Sequence, residues 1–517
     1  MLYAQLVRYT AIPTKFLPSI KKGGKVSSQL LYFWYVMRIS RIAGVILVLL
    51  FANITSAVAQ DTWSLQRCVD YALQNNLSVK QQEIQRRLAE LTLKQSRLSM
   101  IPSVNLSTDG GYAQGRNPSP QTNTYITQSF FNASGGVSVG VDIFNWFAKQ
   151  HIIAADKYDL QSNSFLLQKA RNDLAFNVAT AFLQILLNNE QVKVNEVQVQ
   201  LTNSNLENTK KLVIAGSVPE SNQADLEAQL AQDSTNLVTA RNNVILSILQ
   251  MKAYLNLGFE IPFQPEIPAN INSLPMAPLN EMAPEMVYSA AVVNYPLIKS
   301  DQLRILSAQS NYKAARAQML PKLSLSAGLG SSYSNNIQNT NPGMPVIRKD
   351  TIGVVDNTNV PVTSLSTTFP NQTFYKMPFS DQIDLNFQQS IRVSLSIPIF
   401  NGWQAHANMA KSRLNVQSLE LTRDMDDQQL KQDIYTAHAN AVAALQKYNA
   451  SATGVMAAQK AYDFATKRFN LGLMNTIDYI TTQSKLFTAQ INKISAQYDY
   501  IFKMKLLEFY RDQKISL

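Results

Sequence analysis

The stretch from residue 391 to residue 472 constrains the fold more than any other part of the sequence. It opens with apolar residues at alternate positions, the pattern of a β-strand with one apolar face: Ile391, Val393, Leu395, Ile397 and Ile399. From Gln404 to Leu471 the chain has one glycine and no proline, and apolar residues recur every three or four positions, which predicts one amphipathic helix. Its 68 residues would form a rod on the order of 100 Å long, far longer than a bilayer core of roughly 30 Å. A strand suited to a membrane is therefore joined to a helix that must leave it.

The first 59 residues have the features of a leader. They carry seven Lys or Arg residues and no acid, and an apolar run at residues 42–51 follows Arg38 and Arg41. An A-x-A cleavage pattern ends at Ala59, which predicts a secretory signal peptide that starts at Met37 and is cleaved after Ala59. Residues 1–36 would then lie upstream of the natural start or extend the leader. The alternative is an anchoring transmembrane helix, for which the apolar run is short.

Composition and motifs exclude several classes of function. Without the leader the formal net charge falls from +11 to +4, which gives no strong case for nucleic-acid binding. The single cysteine, Cys68, cannot form an internal disulfide and is predicted to be a buried helix residue. The three histidines, His151, His406 and His438, lack metal-ligand spacing, and no phosphate loop, dinucleotide fingerprint or nucleophile elbow occurs. We therefore expect no enzyme activity, no cofactor and no metal.

The chain is an internal duplication. Residues 63–107 match residues 282–326 at an offset of 219, and residues 137–145 match residues 393–401 at an offset of 256. Each half is predicted to run helix, strand, loop, strand, long helix, glycine turn and helix, and its first helix stops at a proline, Pro102 or Pro321. The expected domains are a first repeat at 60–256, a proline-rich connector at 257–281 and a second repeat at 282–517.

Four segments are predicted strands, at residues 104–112, 137–144, 322–330 and 391–400. The connecting loops, about residues 112–135 and 331–389, are rich in Asn, Ser, Thr, Gln and Pro and are predicted to be solvated. The only charges in the two clearest strands, Asp142 and Arg392, lie on their polar sides. Since a basic residue near the bilayer midplane costs about 2 to 4 kcal/mol on a lipid face, both are predicted to face the lumen of a membrane barrel.

Aromatic residues mark the places where strand becomes helix. Phe144 and Trp146 in the first half, and Phe400 and Trp403 in the second, match an interfacial aromatic girdle. Four strands cannot close a membrane barrel, because known barrels begin at about eight strands and an open edge leaves backbone groups unpaired in lipid. Several chains must therefore contribute to one barrel. The alternative is a soluble sheet with shielded edges.

Taken together, these features resemble the TolC family of outer-membrane efflux proteins. The motifs are W-S-L near the mature start, P-S-V-N-L and P-K-L-S-L after the first helix of each half, and I-F-N at both strand-to-helix junctions. The resemblance covers nearly all of residues 60–513. It implies a mainly α chain and a homotrimer, in which four strands from each copy form a twelve-stranded outer-membrane barrel continued by a long helical tunnel in the periplasm. It also implies docking to a periplasmic adaptor and an inner-membrane transporter.

In such a fold the turns at Gly216 and Gly472 would lie at the periplasmic tip of the tunnel. The resemblance implies two acids after the second glycine that ring the closed aperture. Asp478 matches the first, but Thr481 stands where the second would be, so the second acidic ring of a tight cation site is absent. Asp478 could equally serve as a first-turn acid of a helix capped by Asn475, and Glu220 as part of a capping box with Ser217. The two readings of each acid are compatible.

The leading functional hypothesis is a passive exit duct in the outer membrane for drugs and other toxic small molecules. An adaptor and an inner-membrane pump would hand these molecules over and supply the energy. The alternatives are a duct for type I protein secretion, a stand-alone uptake porin and a soluble periplasmic coiled-coil tether.

Overall fold

The computed structural model describes residues 62–119, 124–266 and 278–514. The described residues from Trp63 onward belong to one compact unit. The predicted signal peptide lies outside the described residues. None of the described helices combines the length and the apolar character that a membrane span requires.

Two sets of elements make up the described part of the chain. Its helices are α1 (Leu65–Asn75), α2 (Leu77–Leu98), α3 (Ala148–Ile214), α4 (Glu220–Leu255), α5 (Pro284–Asn294), α6 (Pro296–Ala317), α7 (Phe379–Leu385), α8 (Gln404–Asn470) and α9 (Thr476–Asp512). Its strands are β1 (Thr62–Trp63), β2 (Ser103–Pro118), β3 (Tyr125–Phe144), β4 (Gln264–Pro265), β5 (Lys322–Ser334), β6 (Gln338–Asn341), β7 (Val346–Val354), β8 (Pro361–Thr368), β9 (Thr373–Lys376) and β10 (Gln388–Ser396). One 3-10 turn, Leu279–Glu281, precedes α5.

The long helices are those that the sequence predicts. Helices α3 and α8 have 67 residues each and end within one residue of the predicted positions. Each returns through a glycine turn into a partner, so that α3 packs along α4 and α8 packs along α9. The predicted succession of long helix, glycine turn and partner helix is therefore present in each half.

The opening helix of each half is divided in two, whereas the sequence analysis predicted one helix. In the first half the Asn76 side chain accepts hydrogen bonds from the backbone N–H groups of Ser78 and Val79, and this N-cap starts a new helix. In the second half Pro296 occupies the first helical position and produces the same break. Two different residues thus start a new helix at equivalent places.

Four strands form one antiparallel sheet in the order β10, β5, β3, β2. The first hairpin is longer than predicted, because β2 continues to Pro118 and β3 begins at Tyr125. The fourth strand is shorter than predicted. It ends at Ser396, two residues before Pro398, which has no N–H group for a ladder.

The loop predicted at residues 331–389 contains regular structure. It holds helix α7 and two further antiparallel pairs, β6 with β9 and β7 with β8. The buried Gln382 side chain of α7 accepts a hydrogen bond from the backbone N–H of Ser334 at 2.9 Å and donates one to the Met377 carbonyl oxygen at 3.0 Å. These bonds fix the base of the loop on the end of β5.

The core lies among the helices in two clusters. One surrounds Cys68, Val178 and Leu183, and the other surrounds Ile434 and Met504. Cys68 is fully buried, as predicted, and burial raises the pKa of its thiol to about 12. The thiol therefore stays protonated and unreactive at neutral pH.

Candidate functional site: the sheet faces and the helix ends

The four-stranded sheet has one apolar face and one polar face. Because side chains alternate along each strand, the observed pairing assigns every residue to a face. The apolar face carries Val104, Leu106, Val137, Val139, Val141, Leu323, Leu325, Leu329, Ile391, Val393 and Leu395. The polar face carries Ser103, Asn105, Ser107, Asp109, Ser134, Ser138, Asp142, Ser324, Ser326, Ser390, Arg392 and Ser394. This separation suits a sheet with lipid on one side and water on the other.

Asp142 and Arg392 lie on the same polar face but in different surroundings. Asp142 forms two ion pairs, with Lys322 Nζ at 2.9 Å and with Lys149 Nζ at 3.1 Å. Lys149, in the first turn of α3, also donates to the Ser99 carbonyl oxygen at 2.6 Å. Asp142 therefore ties the end of β3 to β5 and to the first long helix. Arg392 is exposed near the middle of β10.

Both strand-to-helix junctions contain two consecutive residues in the left-handed conformation. They are Trp146 (φ 54°) and Phe147 (φ 63°) in the first half, and Gly402 (φ 62°) and Trp403 (φ 65°) in the second. The indole N–H of Trp146 donates to the Pro321 carbonyl oxygen at 2.8 Å. This hydrogen bond helps to stabilise the unfavourable left-handed backbone conformation of Trp146. The duplicated geometry turns each strand sharply into its long helix.

The predicted aromatic girdle residues lie at these junctions and are exposed. Phe144 contacts Trp146 and Phe147, with ring centroids 5.2 Å and 5.9 Å apart. Phe400 is 87% exposed and Trp403 is 64% exposed. Phe400 follows β10 by four residues instead of ending it, since the strand stops at Ser396. Their role at a membrane interface stays a prediction.

The two glycine turns at the far ends of the long helices share one motif. Gly216 and Gly472 both have φ of +70°, which a residue without a Cβ adopts at no steric cost. After α3 the Ser217 N–H donates to the Leu212 carbonyl oxygen at 2.8 Å, and the Gly216 N–H to the Val213 carbonyl oxygen at 2.9 Å. The same pair of bonds closes α8 at Gly472. Both turns are Schellman motifs, so the duplication extends to the tips.

Glycine-to-alanine substitutions should have opposite effects on stability in these two turns and inside a helix. Gly216→Ala and Gly472→Ala should each lower the free energy of unfolding by about 1 kcal/mol, because alanine is strained at positive φ. An added Cβ meets no atom within 4 Å at either site, so backbone strain is the only cause. Gly454→Ala, inside α8 and equally free of contacts, is the matched control and should stabilise by up to about 1 kcal/mol. Denaturant titrations followed by circular dichroism would test this. A stabilising Gly216→Ala would contradict it.

The acids beside the two turns have different local roles. Asp478 is in the first turn of α9, where its N–H donates to the Asn475 side chain at 2.7 Å, and its Oδ2 accepts from the Asn475 amide at 2.8 Å. The predicted cap is therefore present. Thr481, in place of a second acid, directs its hydroxyl to the Ile477 carbonyl oxygen at 2.8 Å. Glu220 is the first residue of α4.

The predicted capping box between Ser217 and Glu220 is wrong. Helix α4 begins after Pro219, which has no side chain that can cap, and Ser217 belongs to the turn that closes α3. Whether Glu220, Asp478, Gly216 and Gly472 form an aperture depends on an assembly of several copies, so that role stays a prediction.

Loss of the Asn475 cap should weaken the start of α9. Asn475→Ala removes the acceptor for the Asp478 N–H and should lower the free energy of unfolding by about 1 kcal/mol. It should also speed proteolytic cleavage at the tip. Asn475→Ser keeps a capping oxygen and should retain most of the stability. Equal cleavage rates for the wild type and Asn475→Ala would contradict the expectation.

A buried polar cluster above the tip was missed by the sequence analysis. Asp233 of α4, 2% exposed, accepts hydrogen bonds from Thr202 Oγ1 at 2.7 Å, Gln198 Nε2 at 3.1 Å and Gln229 Nε2 at 2.8 Å. Gln483 of α9 donates to Thr202 Oγ1 at 3.2 Å. This Asp233 cluster links three helices and so connects the two helical hairpins.

A spacing signal in the sequence could have found this cluster. Leu226, Asp233, Ala240 and Ser247 are buried at intervals of seven residues along α4. A seven-residue repeat places its members on one seam of a coiled coil. Asp233 therefore sits on a buried seam, although its residue type suggests a solvated surface.

The sequence matches the model of the outer membrane efflux protein family over residues 68–257 and 287–503. Among curated proteins, it is 19% identical over 454 residues to the outer membrane efflux protein BepC of Brucella suis biovar 1, covering 88% of this chain and 86% of BepC. It is 19% identical over 443 residues to the outer membrane protein TolC of Escherichia coli K12, covering 85% of this chain and 80% of TolC. Both alignments span most of both proteins.

The fold is also that of a solved channel. The structure superposes on the transmembrane channel protein CusC with a TM-score of 0.70 at 14% sequence identity, covering 86% of this chain and 91% of CusC. The predicted fold class is therefore confirmed: the chain shares with a transmembrane channel protein its long paired helices joined to a β-sheet.

The comparisons confirm three further predictions, which are the resemblance to TolC, the location in the outer membrane and the absence of enzymatic function. These confirmations rest on the family model, whose two matched segments together cover most of the chain. This chain belongs to the outer membrane efflux protein family.

Proposed function

We propose that this chain is the outer-membrane exit duct of a tripartite export system and works as a homotrimer. Four strands from each of three copies would close a twelve-stranded barrel, and the paired long helices would continue it as a tunnel through the periplasm. Small molecules such as drugs would enter from a periplasmic adaptor and an inner-membrane pump. The observation that carries the proposal is the open, two-faced sheet joined directly to the long helices.

The open edges of the sheet favour assembly. Among the described residues, β2 and β10 each pair on one side only, so a row of backbone N–H and C=O groups is unpaired at each edge. In hydrocarbon each unpaired group costs several kcal/mol, and four strands are too few to close a barrel. The apolar face is exposed in a single copy, as at Ile391 (81%) and Leu395 (62%). Three copies would pair every edge and turn the apolar faces to lipid.

The helical part supports a passive duct with an external energy source. The long helices leave the sheet at the aromatic junctions and end at the glycine turns, which would place Gly216 and Gly472 at the far periplasmic end. Glu220 and Asp478, exposed beside those turns, would border the aperture, where Thr481 replaces a second acid. The adaptor and the pump would open the tip and drive transport.

Envelope fractionation combined with chemical cross-linking of the mature protein tests the proposal. We expect the protein in the outer-membrane fraction and a cross-linked series that stops at three copies. A stable, detergent-free single copy among soluble periplasmic proteins would overturn it in favour of a periplasmic tether.

Conductance in planar bilayers separates the duct from a stand-alone porin. A duct closed at its tip should conduct weakly, and Asp233→Ala, which loosens the helices above the tip, should raise the conductance. Large conductance of the wild-type trimer, without a partner and unchanged by Asp233→Ala, would favour the porin.

A further inference from the structure

Arg392 is an uncompensated positive charge on the polar face of the sheet. Its row across the sheet consists of Ser326 on β5, Gly140 on β3 and Ser103 on β2. These residues are small and uncharged, so they neither cover the guanidinium nor pair with it. Among the described residues, Arg392 has no acid within ion-pair distance, whereas other arginines, such as Arg86, are paired.

The nearest acid on this face, Asp142, is already paired with two lysines. Asp142 lies two rows closer to the helices and two strands away, about 12 Å from Arg392 by strand spacing and rise. It holds Lys322 at 2.9 Å and Lys149 at 3.1 Å. Asp142 is thus already outnumbered by its own two lysines, and no carboxylate on this part of the face is left to pair with Arg392.

No other acid on the face balances this charge. Asp109 lies on the polar face of β2, six residues beyond Ser103 and hence about 20 Å farther along the sheet. At physiological ionic strength, charges farther apart than about 8 Å are largely screened from each other in water. The two groups therefore act separately, and the part of the face around Arg392 is positive.

We propose that Arg392 forms, with its copies in the other two chains, an anion-attracting ring in the barrel that favours the passage of small anionic solutes. The inference rests on the proposed trimeric barrel, which would turn the polar face inward and bring three arginines around one water-filled lumen. Charges of one sign that line a water-filled passage with low-dielectric walls raise the local concentration of the opposite ion.

Reversal potentials in planar bilayers under a KCl gradient test the inference, measured on the purified trimer whose tip is loosened by Asp233→Ala so that the closed aperture does not set the ion preference. Arg392→Gln should lower the ratio of chloride to potassium permeability at least about twofold, and Arg392→Glu should lower it further. Arg392→Lys keeps the charge and should keep the ratio. The shift caused by Arg392→Gln should shrink as salt rises from 0.1 M to 1 M, which a purely structural role would not produce.

Arg116→Gln is the matched control. Arg116 is an exposed arginine of the same sheet, but it lies on the opposite face of β2, so its removal should leave the ratio unchanged. If Arg392→Gln and Arg116→Gln have equal effects on a conducting trimer, the inference fails while the proposed duct stands. If cross-linking finds no trimer, the proposed function itself fails, and this inference fails with it.

Discussion

Replacing Asp233 with alanine is expected to lower the free energy of unfolding of the helical region by about 2 to 4 kcal/mol. The carboxyl group accepts three hydrogen bonds in a site that is 98% buried, from the side chains of Gln198, Thr202 and Gln229. Alanine removes this acceptor from Thr202 and Gln229 in a place that water cannot easily reach, and Gln198 Nε2 keeps only a longer contact with Thr202 Oγ1 at 3.4 Å. Each buried donor left unsatisfied costs about 1 to 3 kcal/mol.

The measurement is a denaturant titration of the detergent-solubilised protein followed by circular dichroism. Asp463→Ala is the matched control, because Asp463 lies on a solvent-exposed helix surface and accepts one hydrogen bond, from Gln459 at 2.8 Å. It should change the stability by less than about 0.5 kcal/mol. If the two variants differ by less than 1 kcal/mol, the Asp233 cluster does not contribute the stability assigned to it.

The loss should extend beyond one hairpin. Gln483 of α9 reaches the cluster through Thr202, so the cluster connects α3 and α4 to the second helical hairpin. Loosening that connection should make both glycine turns more accessible to protease, at Gly472 as well as at Gly216. Cleavage enhanced only at Gly216 would show that the cluster stabilises α3 and α4 alone.

The sequence predicts the long helices and the polar face of the sheet well, for identifiable physical reasons. A run of 68 residues without proline favours one long helix, and Gly216 and Gly472 suit its end because glycine adopts at little cost the positive φ that the closing turn requires. The faces follow from alternation, since a strand that put Arg392 toward lipid would also turn Ile391 and Val393 toward water.

Other features depend on contacts that sequence patterns do not contain. The loop at 331–389 is polar, yet it forms strands and a helix whose buried Gln382 bonds to the backbone of β5. The division of the first helix at Asn76 depends on a cap that could equally have pointed to solvent. Its residue type alone predicts that Asp233 lies at the surface. Its burial follows only when its seven-residue spacing from Leu226 is combined with the packing of a neighbouring helix.

A second buried aspartate lies in the other half of the chain. Asp301 of α6 is 3% exposed, and its Oδ2 has no hydrogen-bond partner within the described residues. Burial, followed by the nearby carboxyl of Asp426 on α8, raises the pKa of Asp301 to about 6, and Arg304 only partly opposes this. The adjacent Ser300 hydroxyl forms a hydrogen bond with the Ser162 hydroxyl at 2.8 Å.

The consequence is a stability that falls as pH rises through about 6. The folded chain keeps the Asp301 proton up to about pH 6, whereas the unfolded chain loses it near pH 4. Between these values the folded state binds more protons, so raising the pH favours unfolding. The stability that comes from this group is fully present below about pH 4 and lost above about pH 6.

Asp301→Asn should therefore stabilise the protein by about 2 kcal/mol at pH 7.5 and change little at pH 4. The amide carries no charge at any pH and can donate a hydrogen bond to the Asp426 carboxylate, which the ionised Asp301 cannot do. Denaturant titrations of the variant and the wild type at both pH values measure the difference. Asp463→Asn, on an exposed helix surface, should show no such pH dependence. A stabilisation by Asp301→Asn that is equal at pH 4 and pH 7.5 would show that shape or hydrogen bonding, and not the buried charge, sets the stability at this site.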